Sequence, residues 1–339
     1  MGPLKERYLR IRRRTRITIA VVVVILLLLA IAVYLRKKAP PEVARLLPES
    51  DGIVYLNLRP LRTVTHFDQH PVAHDPDYQS FIDATGIQFE RDLDEVAFAL
   101  HRMPNPAGPN GPVAFSEVFE GRFDGRRLMH YLEGLSPAQE SYAGHTIYSI
   151  PSDGRTVRVT ILGYDMVAVS NTPTAEQIHS ILDRYRSAAL PFSGSSLLTD
   201  HYEEVPLLSL AWGIGQIGLP FGDSGEVSVM GLRLPVNFDS MFIASVRWTG
   251  SLHLRLEEIA PTEEAAATSA ESVKALVGLV RNAQGIIPGV ADADLKPLLD
   301  SIQIDHRKDR ATLRATIPTQ LLERIVVPGK LPPGPPVNK

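Results

Sequence analysis

Cysteine is absent from all 339 residues. That excludes disulfides, thiolate nucleophiles, cysteine zinc sites, iron–sulfur clusters and lipid attachment through a thiol. A folded part of this size buries enough core to stand without disulfides. Positive charge is scarce beyond residue 38. Of the 35 basic and 38 acidic residues, ten basic and one acidic lie in residues 1–38, which leaves 25 basic against 37 acidic, a net of −12, in 39–339. A body of that sign repels phosphate backbones, so no nucleic acid is expected as a partner. Familiar nucleophile frames are missing as well. Ser193-Gly194-Ser195-Ser196 lacks the G-x-S-x-G spacing of a nucleophile elbow, and no lysine follows a serine in a lactamase-like arrangement.

What the chain does have is one long apolar run, Ile17–Leu35, without charge, glycine or proline. At about 1.5 Å per residue in a helix, it covers roughly the 30 Å hydrocarbon core of a bilayer. Seven basic residues precede it (Lys5, Arg7, Arg10, Arg12, Arg13, Arg14, Arg16), and Arg36, Lys37 and Lys38 follow. The excess before the span predicts a cytoplasmic N-terminus, with the remainder beyond the membrane. Ala30-Ile31-Ala32 has the small-x-small form of a signal-peptide cleavage site, but the apolar run continues through Tyr34 and Leu35, which favours an uncleaved anchor. Arg12-Arg13-Arg14 is a twin-arginine-like run without the neighbours of that export signal, and a plain cytoplasmic flank explains it.

Past the anchor the patterning predicts an α+β body, with antiparallel sheet packed by helices. A strand is expected at Ile53–Leu58, helices at Arg59–His70 and Tyr78–Ala84, and strands at Val96–His101 and Val113–Phe123. Asp124 should cap a helix running through Leu132. Strands follow at His145–Ile150, Thr156–Leu162 and Met166–Ser170, and then a helix that Thr172 could cap. A second hairpin, Met241–Trp248 with Ser251–Glu257, precedes Pro261-Thr262-Glu263-Glu264, which matches Pro173-Thr174-Ala175-Glu176. The spacing reads as a duplicated hairpin-plus-helix unit. A short helix at Leu295–Leu299, a hairpin of Ile302–His306 with Thr312–Ile317 and a helix at Thr319–Val326 close the chain. The expected organisation is therefore a basic cytoplasmic tail (1–16), a transmembrane helix (17–35), a linker (36–47), two related units (48–190 and 191–326) and a proline-rich tail (327–339).

Three constellations bear on chemistry. His66, His70 and His74 are spaced by four, with Asp68, Asp75 and Asp77 nearby as oxygen ligands. One helical turn between two imidazoles suits a metal ion. Pro71 interrupts the helix after His70, so only His66 and His70, with Asp68, remain as metal candidates. The glutamate of a zinc-protease helix is missing. Gly213-Ile214-Gly215-Gln216-Ile217-Gly218 spells G-x-G-x-x-G after an expected strand at Leu207–Trp212, but Pro220, Gly222 and Gly225 break the helix that a dinucleotide needs. It reads as a glycine-rich turn, and no cofactor is expected. Asp92, Asp94 and Glu95, like Asp292 and Asp294, read as turn and cap residues. Trp212 and Trp248 read as core.

The segments LLPESDGIVYLNLRPLR and DYQSFIDATGIQFERDLDEVAFAL, followed by hairpin-helix units, resemble uncharacterised bacterial single-pass membrane-anchored proteins with domains of unknown function. The resemblance implies a folded part outside the cytoplasm and supplies no catalytic residues. The expected function is a non-enzymatic, membrane-tethered binding or scaffold module, or an accessory subunit of a membrane assembly. Its expected place is the bacterial inner (cytoplasmic) membrane, with a periplasmic or extracellular body. Its expected partners are the bilayer, through Ile17–Leu35, and an envelope protein or polymer. The alternative is a metal-dependent extracytoplasmic hydrolase using His66 and His70.

Overall fold

The computed structural model describes residues 22–25, 27, 39–69, 74–187, 194–216, 227–229, 232–234, 240–282 and 295–317. The chain divides into two units, Met1–Pro40 and Pro41–Lys339. In the first, residues 22–25 and 27 are helical. Most of Ile17–Leu35 lies outside the described residues, as do the expected helix Thr319–Val326 and the proline-rich tail. Among the described residues no helix is long and apolar enough to cross a membrane.

The second unit is built on one antiparallel sheet. Its strands are β1 (Gly52–Asn57), β2 (Leu93–Arg102), β3 (Val113–Gly121), β4 (Ala138–Tyr142), β5 (His145–Ser152), β6 (Arg155–Leu162), β7 (Met166–Ser170), β8 (Ser209–Gln216), β11 (Met241–Trp248), β12 (Leu252–Ile259), β13 (Gln303–Arg307) and β14 (Arg310–Ile317). β9 (Val227–Val229) and β10 (Leu232–Leu234) form a separate pair. The order across the large sheet is β13-β14-β12-β11-β8-β1-β2-β3-β7-β6-β5-β4. Short turns make this meander possible. Asp153-Gly154 joins β5 to β6 with both residues at positive φ, the conformation a two-residue turn needs to match strand twist.

The α+β expectation holds, and helices cover both sheet faces. On one face a core gathers Ile53, Tyr55, Val118, Trp212, Ile214 and Ile243 beneath Ile178, Ile181 and Leu182 of the helix Glu176–Arg186. Val43, Ala44, Leu46 and Leu47 also belong to it, at 1% exposure or less. Residues 42–47 were expected to be linker; instead Glu42–Arg45 is a helical turn, and the chain dives into the core straight after Pro41. Each of those leucines contributes about 2 kcal/mol by burial. On the other face the helix Gly125–Leu135 packs Leu128 and Leu132 against Tyr148, Val159 and Val167. Asp124 caps it as expected, accepting from the amides of Arg126 and Arg127.

Element order repeats outward from the β1–β8 pair. β1-β2-β3 leads into Gly125–Leu135, and the chain returns through a meander whose last strand, β7, lies beside β3. β8-β11-β12 leads into the helix Glu263–Asn282, and the chain returns so that β14 lies beside β12. The sequence pairing matched Glu263–Asn282 with Glu176–Arg186. In connectivity its counterpart is Gly125–Leu135, because both of these helices pack on strands that follow them, whereas Glu176–Arg186 packs on β6 and β7, which precede it. Nor does Thr172 cap that helix. Ala175 stands at its N-cap without a side-chain bond, and the Thr172 hydroxyl donates to the Thr174 carbonyl.

The described part of the G-x-G-x-x-G run, 213–216, is strand where a glycine-rich turn was expected. Gly213 and Gly215 lie inside β8, and Gly218 lies outside the described residues. Gly215 faces Gly52 across the β1–β8 pair. A Cβ on Gly215 would stand 2.6 Å from the Gly52 Cα and 2.9 Å from the Asp51 carbonyl oxygen, so the glycine permits the close approach of two backbones. At Gly213 a Cβ would meet only ordinary contacts, 3.5 Å from the Ile53 oxygen. Gly215→Ala should therefore destabilise the protein by about 3 kcal/mol, while Gly213→Ala stays within about 1 kcal/mol. Urea unfolding of the two variants checks the contrast, and equal midpoints would contradict it.

Candidate functional site

The segment between β1 and β2 builds a groove. Asn57 ends β1 and caps the helix Leu58–Thr65, its Oδ1 accepting from the Arg59 amide at 3.1 Å. That helix stops at His66, which turns to the left-handed region (φ 50°), and Phe67–Gln69 continues as a 3-10 turn. Asp75 caps the next helix, Pro76–Thr85, through the Tyr78 amide at 2.8 Å, and Gly86 at φ 73° closes it. A last helical turn, Phe89–Asp92, feeds β2. Between these pieces lies an open cleft of about 500 Å³ lined by Leu58, Leu61, Phe67, Tyr78, Phe89, Glu90 and Leu93. That volume lies in the range of small-molecule and side-chain pockets.

Tyr78 organises one wall. Its ring stacks on Phe89 at 5.3 Å and on Phe81 at 6.2 Å, and the His74 ring meets it edge-on at 4.7 Å. Its hydroxyl donates to Glu90 Oε2 at 3.0 Å and accepts the Phe89 amide at 2.7 Å. The other oxygen of Glu90 meets His74 Nε2 at 3.1 Å. Burial, and then the Glu90 carboxylate, push the Tyr78 phenol up to about 12, so it remains a neutral donor. Arg62 closes the floor. It donates to the carbonyls of Glu90 and Leu93, pairs with Asp94 at 2.9 Å and stands 6.0 Å from the centre of the Phe67 ring.

Of the acidic run, only Asp92 belongs to the turn before β2; Asp94 and Glu95, expected as turn and cap residues, lie inside the strand and are held by ion pairs and hydrogen bonds. Asp92 pairs with Arg91 at 2.6 Å and accepts the Gln88 amide. Burial works to raise its pKa, but those partners prevail and hold it below the usual carboxylate range. Asp94 takes Arg59 at 3.1 Å as well as Arg62, and Arg59 reaches on to Glu120 at 2.7 Å. Glu95 stands directly across from Glu120 and accepts from Asn57.

His66 is exposed, Asp68 sits on the 3-10 turn with a buried oxygen that has no described hydrogen-bond partner, and His70 lies outside the described residues. The continuous helix that would put His66 and His70 on one face ends at Thr65. Pro71 suggested a break five residues later; the left-handed turn at His66 carries no sequence signal. Among the described residues no group of three or more His, Asp or Glu side chains is placed to hold a metal ion. Ser193 lies outside the described residues, Ser195 is fully buried, and Ser196 binds Glu49.

One serine–histidine contact escaped the sequence reading. His101 Nε2 lies 2.9 Å from Ser116 Oγ, which continues to Ser170 Oγ at 3.2 Å and Thr172 Oγ1 at 2.9 Å. Ser116 has no exposed surface, so a substrate could not reach it; the chain of hydroxyls satisfies polar groups within the core. Its neighbour Glu117 points to the opposite face, between Phe98 of β2 and Val169 of β7.

No family model matches this chain, and no curated protein matches it. Among solved structures it is similar to crystal form I of TP0453, at 12% identity over 86% of this chain and 98% of that one, with a TM-score of 0.44. Crystal form III of TP0453 matches at 12% identity over 85% and 98%, with a TM-score of 0.47.

Burial alone pushes the Glu117 carboxyl up to about 7 from its ordinary 4.5. An acid raised on folding contributes stability that is complete below its unfolded pKa of about 4.5 and is lost as pH rises through about 7. Glu117→Gln should therefore raise thermal stability at pH 8, by on the order of 2 kcal/mol, and change little at pH 4.5. Melting curves across that range check it; a gain independent of pH would contradict the assignment.

Proposed function

We propose that this chain is a membrane-tethered binding module, held in a bacterial inner membrane by Ile17–Leu35, with its folded body outside the cytoplasm. Two related units, meeting at β1 and β8, make up that body. The reading is supported by the uncharged apolar run, by the excess of basic residues before it, and by the resemblance to single-pass anchored proteins. The observation that carries the binding role is the groove between Leu58 and Leu93. Its surface is mostly apolar, and its polar lining groups, Glu90 and Tyr78, are bonded to each other and, through Glu90, to His74 behind them. Such a wall favours insertion of apolar side chains over bond-making chemistry. The partner proposed is an envelope protein presenting one or two large apolar side chains.

Two measurements test this. Reporters fused after residue 339, one active only outside the cytoplasm and one fluorescent only inside, should show the external one active; internal fluorescence would overturn the topology. A photoreactive residue at Phe67, irradiated in native membranes, should give a discrete crosslinked protein. Phe89→Asp should reduce that product about tenfold; Phe89 is 43% exposed, so the fold should survive the change. An undiminished product would contradict the groove. If the purified chain instead carries a stoichiometric metal that is lost in His66→Ala, the hydrolase alternative would replace the binding reading.

A further inference from the structure

Independently of the groove, we propose that the open face of β11, β12, β14 and β13 binds a phosphoryl group. The register sets the argument. Arg255 on β12 lies directly opposite Arg314 on β14, and Arg247 on β11 lies opposite His253, which lies opposite Thr316. Like charges placed directly across a strand pair destabilise it. This cluster occurs in a body that carries 37 acids to 25 bases. The residues share a cleft of about 260 Å³, lined also by Gln303, and no carboxylate is among its lining residues.

The guanidinium donors are only partly used. Arg247 has no ion pair or hydrogen bond among the described residues. Arg314 reaches only Asp305, at 3.4 Å. Arg255 gives one nitrogen to Glu257 at 2.5 Å, while its Nε is buried with no described acceptor. His253 is held between Ser251 at 3.1 Å and Thr316 at 3.3 Å, which fixes its ring beside the arginines. Three planar donor forks around one cleft suit a tetrahedral anion with several acceptor oxygens. That chemistry is shared by a soluble phosphate ester and by a phospholipid headgroup.

The full chain in detergent, titrated by calorimetry with inorganic phosphate and with glycerol phosphate, tests the soluble source. The same chain mixed with phosphatidylcholine vesicles, with and without phosphatidylglycerol, tests the lipid source. Binding in either arm supports the site if Arg247→Gln combined with Arg314→Gln weakens it by at least about tenfold. The double variant relieves like-charge repulsion, so it should melt no lower than the native chain. Arg314→Lys, which keeps the charge and loses the fork, should weaken binding by an intermediate factor, and it separates loss of the site from loss of the fold. Absence of binding in both arms would overturn the proposal, as would equal binding by the double variant.

Discussion

The structure depends on the approach of two backbones at Gly52 and Gly215. β1 sits near the middle of twelve strands and bonds to β2 on one side and β8 on the other. Were it pushed away from β8, the sheet would separate into its two halves, and the core shared by Tyr55 and Trp212, whose rings stack at 5.4 Å, would open. Helical cover alone could not repair that. Glu176–Arg186 comes from the first half and Ser196–His201 from the second, yet both add buried residues to the same core. The Glu49 carboxylate ties the pieces together, taking Arg184 from the first helix and the amide and hydroxyl of Ser196 from the second. Sheet continuity is thus the condition on which packing, and then the surface features, are built.

Much of this was legible where the signal is local. Asp124 and Gly86 mark helix ends through their own side-chain or backbone conformations, and the β5–β6–β7 and β11–β12 meanders follow from alternation punctuated by turn residues. Three features were not legible, each for a physical reason. Ala138–Tyr142 is almost wholly exposed and shows no apolar alternation, because it is an edge strand defined by pairing with β5. Val43 to Leu47 looked like linker because four apolar residues carry no period; their burial is decided by tertiary contact alone. The glycines of β8 looked like a turn because the demand for a missing side chain comes from Gly52, more than 150 residues earlier in the chain.

The groove shows the same division. Its residues lie within 58–93, where the presence of two helices could be read in advance, while the stop of the first at His66 and the aromatic wall could not. What the sequence could not show is that Tyr78 points its hydroxyl back at Glu90, or that Arg62 is committed to the backbone of the next turn. Those long-range bonds turn an acidic run with candidate metal ligands into a closed polar frame around an apolar cleft. Ion pairs of this partly exposed kind contribute about 1 kcal/mol or less each. Their larger effect is to fix side-chain positions around a surface that water would otherwise separate.

A single row of the sheet shows why two such different surfaces coexist. On one face the residues in register run Ala97, Tyr55, Trp212, Ser245, Arg255, Arg314 and Gln303. The first four are buried beneath the helices of the central core. Beyond Ser245 the row passes into half-buried and exposed arginine. The helix Glu263–Asn282 does not shield it, because that helix packs on the opposite face, where Ser269 meets the buried carboxylate of Glu258. Among the described helices, none that packs on the central core extends over this part of the sheet. An apolar row left open there would invite association with another sheet. A row of guanidiniums resists it, at the cost of charges that repel one another. Edge protection alone would be met as well by charges of mixed sign, which would not destabilise the strand pair. Glu257 and Asp305 neutralise part of this row, through Arg255 and Arg314, but Arg255 set directly against Arg314 is the feature that edge protection leaves unexplained and that an anionic ligand would satisfy.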